Sequence, residues 1–287
     1  MNIIIEKFKT ADYYLLTVMF LMILLSFVLE VEANVTVSPT RLILENGERS
    51  ATIKLINPDN ETAAYRISFV NMEMTASGDF EAAEAADNSE ERLADYLAQD
   101  LIRYSPRQVS LPPKQAQLVR LQVMLPADLE DGEYRSHILF QEIPNPIQEE
   151  NENEEETGIN ISLRAIYGVS IPVIIRHGET QADVKISDLN LKRNSENRNS
   201  ELSLAIQRSG NQSVYGDIEV TFSPDEGESR LIGAVRGTAI YTDIETREYN
   251  VNLNPDDLIL QNGILKVVYK QTAAEGGKVL AENELNL

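Results

Sequence analysis

The chain contains no cysteine and only two histidines, His137 and His177. The first absence excludes disulfides, thiolate zinc sites and cysteine catalysis, and fits either a reducing compartment or an export route that does without disulfides. The second leaves little from which to build a general base. His137 stands beside Ser136 in an alternating segment and His177 at a joint, with no nucleophile elbow, phosphate-cradling glycine loop or zincin pattern near either. His137 therefore reads as an outward-facing or hydrogen-bonded strand residue, and the chain as a non-enzyme with no cofactor and no metal. Positive charge is scarce as well: 25 Lys and Arg face 46 Asp and Glu, a formal charge of -21. Counterion release on nucleic acid needs clustered cations, so this balance argues against a nucleic-acid partner.

Long apolar runs are missing beyond Leu29. Before it, "MNIIIEKFKTADYY" carries Lys7 and Lys9, "LLTVMFLMILLSFVL" is an uncharged run of 15 residues, and "VEA" puts small residues before a cut after Ala33. This is the form of a secretory signal peptide over 1–33. Glu30 and Glu32 close the run short of the roughly 20 residues a spanning helix needs. The reading is an exported protein with no stable membrane anchor after cleavage.

What is present from Asn34 onward is alternation. "RLIL", "SATIKLIN", "AAYRISFV", "AQLVRLQVML" and "YRSHILFQEI" alternate as half-buried strands do, with "ENGE" and "LEDGE" as turns. After "RHGE" a second series begins, including "ADVKISDLNL", "SELSLAIQR", "GDIEVTFSP" and "ILKVVYKQ". Two all-β sandwiches follow, one over 34–178 and one over 179–287. The interruption is 78–104, read as an acidic loop followed by a short helix, because Leu93, Leu97 and Leu101 recur every four residues with Tyr96 beside them. The acidic runs at 79–91 and 149–156 read as solvated loops, and their spacing matches no EF-hand.

One strand is longer than a sandwich needs. In "GINISLRAIYGVSIPVIIR", Gly158 to Arg176, apolar residues recur at every second position from Ile159 to Ile175. At a sheet edge such a strand exposes unpaired N–H and C=O groups beside apolar side chains, a hazard unless it pairs with something. Strand addition uses that arrangement: backbone bonds give affinity and alternate side chains fill pockets.

Five segments, in order, make the first domain similar to the PapD-like periplasmic chaperones of chaperone-usher pilus assembly. "VTVSPTRLIL" resembles that family's opening strand with its Thr-Arg pair, and "SATIKLINPDNETAAYRISF" its strand, Asn, strand segment. "YSPRQVSLPPKQAQLVRLQVMLP" and "DGEYRSHILFQEIP" resemble two further signatures, and 158–176 falls where the family has its edge strand. The resemblance implies two immunoglobulin-like sandwiches in a boomerang arrangement. It implies a chaperone that lends its edge strand to pilin-like or coat-like secreted subunits and hands them to an outer-membrane usher. Under it, Ile159, Ile161, Leu163, Ala165 and Tyr167 would be the donated side chains, Arg41 the grip on the client's C-terminal carboxylate, and Glu133 with Arg176 the pair that holds the domains at their angle. The chain departs from the family at Pro172, where a lysine usually supplies a second carboxylate anchor; a proline, with no N–H and no ammonium, can neither continue a ladder there nor bind the carboxylate. Arg164 or another cation would have to substitute, or the client ends differently. Whether the empty protein caps its edge as a dimer stays open. So do two rivals: a structural or adhesive exported sandwich in which the long strand is internal, and a module binding calcium or carbohydrate through the acidic loops.

Overall fold

A computed structural model describes residues 35–45, 47–83, 97–144, 165–193, 200–254, 260 and 262–287. The signal-peptide reading of 1–33 and the acidic run at 149–156 lie outside them, as do Leu93 and Tyr96. The chain begins with β1 (Thr36–Ser38), β2 (Leu42–Leu44), β3 (Ser50–Ile56), β4 (Ala63–Val70), β5 (Met72–Met74) and β6 (Phe80–Ala82). It continues through β7 (Ile102–Ser105), β8 (Gln108–Leu111), β9 (Ala116–Val123), β10 (Gly132–Ile143) and β11 (Gly168–His177). The second series is β12 (Ala182–Arg193), β13 (Ser200–Gly210), β14 (Val214–Pro224), β15 (Arg230–Ile240), β16 (Thr246–Leu253), β17 (Gly263–Lys270) and β18 (Val279–Asn286).

Two sandwiches result. The first stacks the sheet β1-β3-β9-β7 on β2-β11-β10-β4-β8, and the second stacks β12-β13-β16 on β15-β14-β17-β18. Alternation along the strands explains the stacking, because period two sends every second side chain to one face. In β3, Ile53 and Leu55 are fully buried between exposed neighbours, and β14 buries Ile218, Val220 and Phe222 in the same way. Each sandwich has its own core: one includes Leu44, Leu121, Ile138, Phe140 and Val173, the other Leu202, Ile206, Phe222, Val267 and Tyr269.

Asn57 shows how a polar side chain ties the first sandwich together. It ends β3 completely buried; its amide donates to the carbonyls of Glu61 at 2.7 Å and Leu111 at 2.9 Å, while its oxygen accepts the N–H of Asp59. One side chain thus closes the β3–β4 turn and fastens it to β8.

The region 78–104 differs from its composition. Phe80–Ala82, expected within an acidic loop, pairs as β6 with β5, and Phe80, still 39% exposed, lays one side of its ring against His137 and Tyr241, with centroids 5.1 and 6.0 Å away. Of the leucine-spaced segment, Gln99–Leu101 form a single 3-10 turn. Its start is held by the Ser136 hydroxyl, which accepts the N–H groups of Ala98 and Gln99, both at 3.1 Å.

Replacing Asn57 by Ala leaves the Leu111 carbonyl and the turn without their partner, a loss of about 1–3 kcal/mol for a buried group. Urea denaturation should show the first sandwich unfolding at lower urea. An unchanged midpoint would mean that water satisfies the turn instead.

Candidate functional site

The long strand divides in the structure. β11 lies between β10 and β2, but β2 runs parallel to it only over Val173–Ile175. Opposite β10 the ladder continues from His177 to Gly168, and beyond it Glu142 N–H still donates to Tyr167 C=O at 2.9 Å. Antiparallel ladders alternate bonded and non-bonded pairs. Tyr167, Val169 and Ile171 therefore aim their backbone groups at β10, whereas Gly168, Ser170 and Pro172 aim theirs at the other side. Among the described residues no strand pairs with that side over Gly168–Pro172.

This register corrects the expectation that Pro172 breaks the ladder. Pro172 sits opposite His137 in a non-bonded pair, so its missing N–H falls on the outer side, where a ladder to β10 does not need it.

The side chains change character along the same line. Ile171, Val173 and Ile175 are buried in the first core and Val169 packs against it. The same row is bare at its near end: Ala165 is exposed and Tyr167 is 55% exposed, with Ile166 on the opposite face at 53%. Ile159, Ile161, Leu163 and Arg164 lie outside the described residues. A row that is core at one end thus runs out, still apolar, beside an unpaired edge.

The other face of β11 meets the second sandwich. Ile174 is fully buried in a cluster with Met74, Ala239 and Tyr241. Two charged clamps flank that cluster. In one, Arg176 Nε donates to the wholly buried Glu133 at 3.0 Å, and both hold the backbone of one residue of the second sandwich: Ser213 N–H donates to Glu133 at 3.1 Å, and Arg176 Nη2 donates to Ser213 C=O at 3.3 Å. In the other, Arg135 Nη2 donates to Asp243 at 2.7 Å and to Met72 C=O at 3.0 Å, with its guanidinium 4.2 Å above the ring of Tyr241. Asp243 also accepts Met74 N–H at 2.6 Å, and Glu248 N–H donates to Ala76 C=O at 2.9 Å. The β5–β6 hairpin is therefore stitched to the second sandwich. Arg135, Asp243 and the hairpin escaped the sequence reading; the one local signal was an unbroken buried stretch at Arg135, Ser136, His137 and Ile138, where strict alternation fails.

Arg41 stands between β1 and β2 at the junction of the two sandwiches. Its side chain is only 11% exposed; Nη1 donates to Glu275 at 3.1 Å and the guanidinium lies 4.5 Å from the centre of the Tyr215 ring. Its Nε and Nη2 are buried without a hydrogen-bond partner among the described residues. Buried polar groups are nearly always paired, and an orphaned charged donor is costly. Two hollows open on this guanidinium. The larger, about 560 Å³, also has Arg176, Lys278, Glu45 and Glu275 in its wall. The smaller, about 240 Å³, is lined by Pro172, Phe80, Tyr215, Tyr241 and Arg247 among others.

Of the two readings of His137, outward-facing or hydrogen-bonded, the structure has the second: it faces inward, 3% exposed, with Nδ1 3.5 Å from Arg135 Nη1. Burial lowers its pKa to about 3, with help from neighbouring Arg135. It is neutral at physiological pH and walled off, which suits packing rather than proton transfer. Among the described residues no group of three or more His, Asp or Glu could hold a metal ion.

The depressed His137 pKa predicts an acid-sensitive fold. Above pH 6.5 the ring is neutral in both states; as pH falls from there towards 3, the unfolded chain takes up a proton that the folded one refuses, so stability drops, by about 2 kcal/mol at pH 5. His137→Gln should remove that part of the loss between pH 7 and pH 5 in urea denaturation. An identical loss in both proteins would contradict it.

No protein-family model and no curated protein sequence matches the chain. Among solved structures, the YadV chaperone overlaps 89% of this chain and 100% of its own at 13% identity and a TM-score of 0.46. The CupB2 chaperone of Pseudomonas aeruginosa overlaps 88% and 100%, at 10% identity and a TM-score of 0.42. The CsuC–CsuE complex of a chaperone with a tip adhesion subunit, from archaic chaperone-usher Csu pili of Acinetobacter baumannii, overlaps 88% and 98%, at 13% identity and a TM-score of 0.43. Overlaps this loose transfer no residue's role, so what the site does rests on its own geometry.

Proposed function

We propose that this chain is an exported, PapD-like assembly chaperone that holds pilin-like or coat-like subunits by lending them the edge of β11, before an outer-membrane usher takes them. The observation that carries the reading is Arg41: a guanidinium almost wholly removed from water, with two donors unpaired among the described residues, at the junction of two sandwiches. A carboxylate fits it, since the guanidinium fork is built for two parallel N–H···O bonds. The open edge supplies the other half. A client strand pairing with Gly168 and Ser170 would run alongside Ala165 and Tyr167, and each apolar side chain buried in a client contributes about 1.5–3 kcal/mol. Ile159, Ile161 and Leu163 extend the row in sequence. Glu133 and Arg176 would hold the domains at their angle through their bonds to the Ser213 N–H and C=O. The periplasm is the compartment that the leader and the absent cysteines suit, and no step of this function is enzymatic.

Arg41→Ala and Tyr167→Glu should each leave the protein folded, with an unchanged thermal midpoint, and each should strip away its client. Hydrogen bonds to a charged group contribute about 1.5–3 kcal/mol, so losing the arginine weakens the complex at least tenfold. The check is co-expression with each neighbouring gene product and measurement of the retained subunit. Wild-type yield with both variants would instead favour a structural or adhesive sandwich that donates nothing.

A further inference from the structure

The smaller hollow contains a second arginine that the sequence did not single out. Arg247 enters it from β16 of the second sandwich, opposite Arg41 and Pro172 of the first. Arg247 Nη1 donates to Ala239 C=O and its guanidinium lies 4.8 Å from the centre of the Tyr249 ring, but its Nε is buried with no hydrogen-bond partner among the described residues. The turn of the β5–β6 hairpin makes room for it: Gly78 has φ +91°, and a Cβ there would collide with the guanidinium.

Charge sets this hollow apart from the rest of the molecule. In a chain of net charge -21, two arginines face one cavity whose described lining residues include no Asp or Glu. The larger hollow is different, because Glu45 and Glu275 stand in its wall. Both cations act on the same deep point: burial pushes the Tyr269 hydroxyl above its ordinary value, and Arg41 and Arg247 both oppose that rise. Arg41 meets Glu275 only through Nη1; its Nε and Nη2 and the Nε of Arg247 have no acceptor among the described residues, so an anion entering the hollow would satisfy buried donors that are otherwise unmet. The remaining wall is apolar and aromatic, from Met74, Phe80, Tyr215 and Tyr241. At about 240 Å³ the space suits one residue rather than a folded segment.

We infer that Arg247 and Arg41 together bind the α-carboxylate of a polypeptide's C-terminal residue, with the aromatic walls taking an apolar or aromatic side chain of that residue. This rests on the reading of Arg41 as a carboxylate receptor and adds its second cation, supplied from the other sandwich at the place where Pro172 offers none. Because each arginine comes from a different domain, the site is complete only while the two sandwiches stay docked.

The test is calorimetric titration of the purified chain with a pentapeptide ending in phenylalanine, as the free acid and as its C-terminal amide. The wild type should prefer the acid by about tenfold or more, and Arg247→Gln should cut that preference severalfold while Arg41 keeps a part of it. Arg247→Lys keeps the charge but not the fork, so it should bind the acid more weakly than wild type, and it decides the matter if Arg247→Gln does not fold. Wild-type acid binding in the folded Arg247 variants overturns the assignment, as does equal binding of acid and amide by the wild type. The peptide needs no strand pairing. Loss of the Arg247 effect with subunit retention still dependent on Arg41 would remove this inference and leave the chaperone reading. The acid preference without any retained subunit would do the reverse.

Discussion

A carboxylate shut away from water organises the junction of this molecule. Glu133 is 1% exposed, and removing one partner of such a pair typically costs about 3–5 kcal/mol because the other charge is left stranded. Arg176 answers it, and the pair grips the N–H and C=O of a single residue, Ser213. A salt bridge within one domain would stabilise that domain alone. This one has its backbone bonds in the next domain, so meeting Glu133 Oε2 joins Ser213 of the second sandwich to the first. The Arg135–Asp243 clamp and the apolar cluster around Ile174 continue the contact along the same side of β11.

Once the junction is fixed, the unmet groups gain meaning. Arg41 and Arg247 have three buried donors without partners among the described residues, and they belong to opposite sandwiches. Glu275 meets Arg41 through Nη1 alone, and among the described residues no acid reaches the other donors as Glu133 and Asp243 reach Arg176 and Arg135. Leaving those donors unmet costs stability, a cost that a ligand supplying acceptors would offset. The same economy holds at the edge of β11. Its upper half is covered by β2 and its lower half is not, and the apolar row leaves the core at the point where the cover ends.

Much of this was legible in the sequence, for reasons that can be named. Period-two alternation reports which face of a strand is buried, and it marked Ile53, Leu55, Val173 and Ile175 without reference to any fold. Asn57 and Arg41 stood out because short segments around them resemble a family pattern. The rest depended on contacts between distant stretches. Phe80 sits in an acidic, alanine-rich stretch, and only the distant rings of His137 and Tyr241 supply a reason for it to pack there. Arg247, in "TREYNVNL", reads as an ordinary solvated strand residue until the turn at Gly78 closes over it. Pro172 misled in the opposite sense: a proline suggests a break, yet the direction of its missing N–H depends on a register that sequence alone does not give.

The central claim is that the outer edge of β11 is kept free for a partner strand. Hydrogen exchange, resolved by residue, on the chain alone and in complex with its subunit reads that edge directly. The amides of Gly168 and Ser170 point away from β10 and should be poorly protected in the free protein, then gain roughly a hundredfold protection on binding, as amides do when local opening is suppressed by a few kcal/mol. Val169 and Ile171, already bonded to β10, should change far less. Exchange at Gly168 and Ser170 that is the same in the free and bound protein would contradict the account.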